Sequence, residues 1–280
     1  MKKVKVFVNK DLDGAGSLLI LKWVIGENCT VDHKVSNVFN IDGDYRRFIN
    51  SPESDEYAKI FILNMIPDFD IDDQTVVFSK ATDYSRKFKG KLGKSTTTTK
   101  LMDEFFTKTD GLSDERREII KAIDQFFTDG VTSRNGIVMN ALFSYANNKY
   151  AKFYDRFDEG IGVLSEKEEG VVQNYVSSFV TVFRGIEMVE HTKHEGMFIV
   201  IVPDMKHKHE LLNKIFDKHH PKKMVFLVDI EQGLVSVRKN DSYDFEMSNL
   251  CDKMIVGRSL INCAGGRFTE HFIEFTKMFH

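Results

Sequence analysis

The segment that most limits what this chain can fold into lies near its start. Residues 3–8 alternate apolar and polar side chains as a half-buried strand does, and lead through Asn9-Lys10 into Asp11-Leu12-Asp13-Gly14-Ala15-Gly16-Ser17. An apolar helical stretch at 18–25 and a second strand at 30–38 follow. Strand, turn, helix and strand in that order predict the opening of a βαβ unit, with two carboxylates at a strand's carboxyl end, where open α/β sheets place ligands. Gly14 and Gly16 allow close backbone approach ahead of a helix whose N-terminus favours anions. Asp11 and Asp13 could hold hard divalent cations that polarise a phosphoryl group. The same Asp-x-Asp-Gly turn also serves as a purely structural Asx turn.

Further strands are predicted at 59–64 and 75–78, separated by an acidic loop at 68–73. Ser95-Thr96-Thr97-Thr98-Thr99 offers N-cap hydroxyls to a helix carrying Leu101, Phe105 and Phe106. Residues 113–150 read as mostly helical, with Trp23, Phe126, Phe127 and Phe143 as core. After a helical bridge near 170–183 the pattern is again α/β: strand 197–202, helix 205–216, strand 223–229, and a hairpin arm at 234–238 beyond Glu231-Gln232-Gly233. The expected organisation is α/β throughout: a parallel-sheet domain over 1–155, a helical connector over 156–184 and a smaller α/β domain over 185–280.

Composition sets broad limits. At 280 residues and 42% hydrophobic, the chain can bury a substantial core, and a net charge of −3 supplies no global field for a polyanion, so any such site must be a local basic patch. Cys29, Cys251 and Cys263 are odd in number and widely spaced, which fits neither a disulfide framework nor a zinc site. The opening Met1-Lys2-Lys3 and its short strand are too brief and polar for a secretory signal, and no stretch approaches the roughly 18 apolar residues of a membrane span. The expectation is therefore a cytoplasmic protein without a membrane partner. A Lys-, Phe- and Asn-rich composition with only four prolines is compatible with a bacteriophage source, for which the compartment would be the host cytoplasm.

On these motifs the chain resembles the DHH phosphoesterase family, nearly end to end. The family opens on a strand followed by His-x-Asp-x-Asp-Gly-x-x-Ser, and Asn9, Asp11, Asp13, Gly14 and Ser17 stand in those places. Its next strand ends in a metal-bridging aspartate; here Ile60-Phe61-Ile62-Leu63 leads to Asn64. Its Asp-His-His triplet would follow Val76-Val77-Phe78, where this chain has Ser79, Lys80 and Ala81. The C-terminal block is similar to a DHHA1 domain: Leu234-Val235-Ser236-Val237-Arg238 matches its strand, and Ala264-Gly265-Gly266-Arg267 its glycine turn, with Arg267 for the final histidine. The resemblance implies a DHH-like parallel-sheet domain with a DHHA1-like domain behind it. It further implies Asp11 and Asp13 as catalytic and metal-ligating residues for Mn or Mg, one weak site at most. For Ser17, Lys80, Arg238, Gly265, Gly266 and Arg267 it implies substrate contacts.

Two carboxylates do not make a rigid two-metal site, which holds its cations about 3.5–4 Å apart. Lys80 could supply a charge in place of a cation, and Asp68, Asp70, Asp83 or His33 could fold in as replacement ligands. Gly265-Gly266 either cradles an anion or only makes a tight turn. Arg86, Lys87, Lys89, Lys91 and Lys94 around Phe88 form a basic run that reads as a solvated loop or as a nucleic-acid track. Lys206-His207-Lys208-His209 and 218–223 flank a helix without zinc spacing, so they are expected at the exposed helix ends. Three functions follow: a pseudoenzyme that binds nucleotides or short single-stranded nucleic acid with weak or lost hydrolysis; an active Mn- or Mg-dependent phosphodiesterase or exonuclease; and a protein-interaction scaffold.

Overall fold

The structure is a computed structural model that describes residues 2–26, 29–37, 40–67, 69–80, 88–93, 95–106, 112–129, 133–146, 150–158, 160–216, 223–240, 242–260 and 263–277. Asp68, Ala81, Asp83, Arg86, Lys87, Lys94 and residues 218–222, all weighed above, lie outside them. The chain divides into two compact units, Met1–Val172 and Gln173–His280. No helix among the described residues is long and apolar enough to cross a membrane.

The first unit is built on five parallel strands, β1 (Lys2–Asn9), β2 (Cys29–Ser36), β3 (Tyr57–Leu63), β4 (Thr75–Ser79) and β5 (Lys89–Leu92), in the order β2-β1-β3-β4-β5. The four predicted strands fall within two residues of β1 to β4: alternation marks β1, and continuous apolar or β-branched runs mark β3 and β4. Val6 and Val8 enter one core while Phe7 enters the other. The larger core packs α1 (Leu12–Ile25) with α3 (Thr98–Phe106), α4 (Asp114–Asp129), α5 (Arg134–Tyr145) and α6 (Tyr150–Phe157). On the opposite face, α2 (Ile41–Ile49) contributes Ile41, Tyr45 and Phe48. Chain order reverses direction between β1 and β3, so their carboxyl ends form the crevice where such sheets bind ligands.

Three sequence expectations are corrected in this unit. The Asp-x-Asp-Gly stretch is not a free turn before a helix at Leu18: α1 begins at Leu12, with Asp11 as its N-cap in extended conformation. Its glycines make room for protein, since a Cβ on Gly14 would sit 2.2 Å from the Asn9 carbonyl oxygen, and one on Gly16 2.6 Å from both Ile123 and Thr99. The described part of the basic run is no loop: Lys89 and Lys91 are exposed on β5, an edge strand, where lysines discourage pairing with another chain.

The second unit holds a six-stranded sheet in the order β10-β11-β9-β8-β7-β6. Its strands are β6 (Met188–Glu190), β7 (Met197–Ile201), β8 (Met224–Asp229), β9 (Leu234–Lys239), β10 (Ile255–Leu260) and β11 (Cys263–Phe268). Only β7 and β8 run parallel. Val235 and Val237 join Phe226, Val228 and Ala264 in a core with α9 (Ser248–Lys253) and α10 (Glu270–Thr276). The long helix α7 (Glu166–Arg184) contains the boundary between the units, and α8 (Lys208–Phe216) lies between β7 and β8 in sequence. Gly265 and Gly266 do not form a turn: both lie inside β11, hydrogen-bonded between β9 and β10. The reason is close approach, since a Cβ on Gly266 would sit 2.4 Å from the Val256 carbonyl and one on Gly257 2.0 Å from that of Gly265.

His207 also departs from its expected exposure. It is buried against the rings of Tyr175 and Phe179, with Nε2 3.0 Å from the Ser178 hydroxyl and Nδ1 3.5 Å from Glu210, which is itself buried. Burial lowers the imidazole to about 4 and raises the Glu210 carboxyl to about 7, so both favour their neutral forms. For Glu210 the folded value lies above the ordinary 4.5. Its contribution to stability is therefore complete below 4.5 and is lost as pH rises through about 7. The His207 contribution, lost as pH falls from 6.5 toward 4, is common to wild type and Glu210→Gln. The variant should melt with wild type at pH ~4 and be more stable at pH ~8, by up to about 3 kcal/mol. Thermal unfolding at the two pH values checks this, and equal stability at the higher pH would refute the buried-carboxyl assignment.

Candidate functional site

The carboxyl ends of β1, β3 and β4 and the N-termini of α1 and α3 meet around Asp11 and Asp13. Asp11 caps α1, its Oδ1 accepting the Gly14 N–H at 2.7 Å. The Asn9 amide donates to its Oδ2 at 2.7 Å, and the Asn64 amide reaches Oδ1 and Oδ2 at 2.9 and 3.0 Å. Asn64 can do this because its backbone is left-handed, φ 56°, a conformation asparagine tolerates. Its Oδ1 accepts the Thr98 hydroxyl at 2.8 Å, and Thr98 Oγ1 accepts the Lys80 N–H at 3.1 Å. Burial and the neighbouring Asp13 carboxylate push the Asp11 carboxyl up to about 6, against the opposing pull of Lys80, Gly14 and Asn64.

Asp13 lies on the first turn of α1 but serves α3. Fully enclosed, it accepts the Thr98 N–H at 2.9 Å on Oδ2, and the Thr99 N–H and hydroxyl, each at 2.8 Å, on Oδ1. The Lys80 ammonium lies 3.2 Å from Oδ2 and 4.7 Å from the centre of the Phe127 ring. Thr97 performs the local capping the sequence suggested, accepting the Lys100 N–H at 3.1 Å. Thr98 and Thr99, in contrast, are capped from α1.

The structure thus brings Asp11, Asp13 and Lys80 together. Ser17 is buried, its hydroxyl donating to the Asp13 carbonyl at 2.8 Å within α1, so it presents nothing to a ligand. His33 pairs in register with Val6 and packs against the Tyr150 and Tyr154 rings, away from the strand ends, and Asp70 is exposed. In the second unit, Arg238 pairs with Cys263, Ser236 with Gly265 and Leu234 with Arg267. Directly opposed residues share a face and alternate ones return to it, so Arg238, Ser236, Gly265 and Arg267 occupy one face. Gly266, opposite Val235, belongs to the other. Arg238 is half-buried, 5.5 Å from the centre of the Phe216 ring, and Arg267 is exposed.

Asn9, Asn64, Thr98 and Thr99 are the residues whose function the motif left open. The amides stand in view at positions 9 and 64, but their partner, Asp11, emerges only from the fold.

No protein-family model matches the chain, and no curated protein matches it in sequence. Solved structures do. RecJ in complex with Mn2+ from Thermus thermophilus superposes with a TM-score of 0.52 at 11% identity over 99% of this chain, which spans only 51% of that protein. An exopolyphosphatase-related protein from Bacteroides fragilis gives 0.54 at 15% identity, over 99% of this chain and 90% of its own. CDC45 from Entamoeba histolytica gives 0.51 at 8% identity, over 100% and 95%. The chain has a DHH-like phosphoesterase fold in divergent form, an α/β architecture of a parallel five-stranded sheet and a second sheet.

That fold raises the question of a divalent metal, and the described residues around Asp11 and Asp13 do not fit one. A carboxylate offers about four lone-pair sites, and those of Asp11 and Asp13 already face amides, a hydroxyl, backbone N–H groups and an ammonium. Among the described residues no three His, Cys, Asp or Glu side chains gather into a metal-binding group. Asp13→Ala should therefore act as a structural mutation. It removes the ion pair to Lys80 and the acceptor for the first N–H groups of α3, an expected loss of about 4 kcal/mol in urea unfolding, with faster amide exchange at Thr98 and Thr99. Unchanged exchange at those amides would contradict the capping role.

Proposed function

We propose that this chain is a degenerate DHH homologue that binds nucleotides or the ends of short single-stranded nucleic acid and hydrolyses them weakly or not at all. One observation carries the reading: the Lys80 ammonium rests on Asp13 while amides occupy Asp11, so the two carboxylates that a hydrolytic site would offer to metal are engaged by donors of the chain itself. The ligand class is drawn from the fold's neighbours, among them an exonuclease RecJ bound to manganese.

Arg238 and Arg267 are the proposed phosphate contacts. They stand on neighbouring strands, four residues apart in register, or about 14 Å at roughly 3.4 Å per residue. Ser236 and the bare backbone of Gly265 lie between them. That spacing suits two phosphates of a nucleotide chain better than one bidentate clamp, and guanidinium groups match phosphate geometry.

The test is calorimetric titration, in EDTA, with a short oligonucleotide and a panel of nucleoside phosphates, followed by a product assay with Mn2+. Expected are binding without metal, weakened about tenfold or more by Arg238→Ala or Arg267→Ala and by added salt, and little or no cleavage. Efficient Mn2+-dependent cleavage would overturn the proposal in favour of an active phosphodiesterase. Absence of any nucleotide or oligonucleotide binding would overturn it in favour of a protein scaffold.

A further inference from the structure

Three donors reach the carboxylate pair from separate segments: Asn9 at the end of β1, Asn64 just beyond β3 and Lys80 just beyond β4. These strands are consecutive neighbours in the sheet, about 4.8 Å apart, so the donors form an arc around the N-terminus of α1. A cation site surrounds a positive centre with acceptors. Here the polarity is reversed, and donors surround two anions. We infer that Asn9, Asn64 and Lys80 are a built-in replacement for bound cations, interdependent in folding, and that they make the first unit independent of divalent metal.

The amide of Asn64 is oriented by its neighbours. Thr98 Oγ1 accepts the Lys80 N–H, which leaves the hydroxyl proton for Asn64 Oδ1, and the opposite end of the amide must then meet Asp11 as a donor. Asn64→Asp is isosteric and keeps a residue type tolerated in the left-handed region. It places an acceptor about 3 Å from the Asp11 carboxylate. A carboxylate pair at that distance is stable only with a cation or a proton between its members. Lys80→Met removes the other component, keeping an apolar stem beside Phe127 while leaving Asp13 without its counter-charge.

The inference rests on the site being non-hydrolytic, but it is tested by stability and not by ligand binding. Thermal unfolding of wild type, Asn64→Asp and Lys80→Met is followed in EDTA and in millimolar Mn2+. Wild type should melt at the same temperature in both. Asn64→Asp should lose roughly 5–10 °C in EDTA and recover part of it in Mn2+, and Lys80→Met should also be destabilised in EDTA. If Asn64→Asp does not fold in EDTA, its refolding on addition of Mn2+ is the expected result. Stabilisation of wild type by Mn2+ would overturn the inference, as would full stability of both variants in EDTA or an Asn64→Asp protein destabilised without any response to Mn2+. A wild type that shows the expected melting pattern yet binds no nucleotide would refute the functional proposal alone.

Discussion

Asp13 is a buried anion held by the start of a helix that lies 85 residues further along the chain. An unpaired carboxylate in that position would cost several kcal/mol, so it persists only where every donor is in place. The requirement propagates outward. Two backbone N–H groups come from the first turn of α3, which must therefore approach α1 closely, and Gly16 leaves room for Thr99 and Ile123 to do so. The ammonium comes from Lys80, which fixes the exit of β4, and Thr98 ties that exit through Asn64 to Asp11. Strand ends and helix starts from widely separated segments are thus joined by one set of polar contacts beneath an otherwise apolar core.

In the second unit the organising constraint is steric. Gly257 and Gly266 let β10 and β11 approach more closely than any side chain would allow, and β11 lies between β10 and β9. With β11 in that register, Arg267 and Arg238 fall on the same face with Gly265 between them. The glycines that would have cradled an anion by turning instead set the spacing of two guanidinium groups by staying extended.

Much of this was legible in the sequence, for physical reasons that also mark where legibility ended. Alternation located β1 and β9 and continuous apolar runs located β3, β4 and β8, since one-sided and two-sided burial each leave a direct trace in residue type. The Asp-x-Asp-Gly segment announced the fold, and the asparagines at 9 and 64 marked where the chain departs from the pattern it resembles. What Asp13 binds could not be read, because its partners are backbone N–H groups of α3, and any residue except proline supplies those. Gly265-Gly266 misled because glycine serves turns and close-packed strands alike, and only the register distinguishes them. His207 misled in a similar way: its basic neighbours suggested solvent, whereas Tyr175 and Phe179, on a helix about thirty residues earlier, enclose it.

The electrostatics of the first unit bear on where an external anion can be accepted. Helix N-termini carry partial positive charge, and α1 and α3 both direct theirs at the crevice between β1 and β3. In an ordinary α/β sheet that potential awaits a ligand phosphate. Here Asp11 occupies the N-terminus of α1 and Asp13 that of α3, and Lys80 neutralises only part of their charge. Burial first, and then the neighbouring Asp13 carboxylate, hold the Asp11 carboxyl at about 6. A phosphate approaching this crevice meets carboxylates before it meets free N–H groups, and is repelled. On the guanidinium face of the second sheet Arg238 and Arg267 flank a serine and a glycine, and the buried carboxylate of Asp229, opposite Leu234, shares that face. The polar contacts around Asp11 and Asp13 therefore serve to hold the first unit together, which is why the phosphate contact is proposed for the second unit instead.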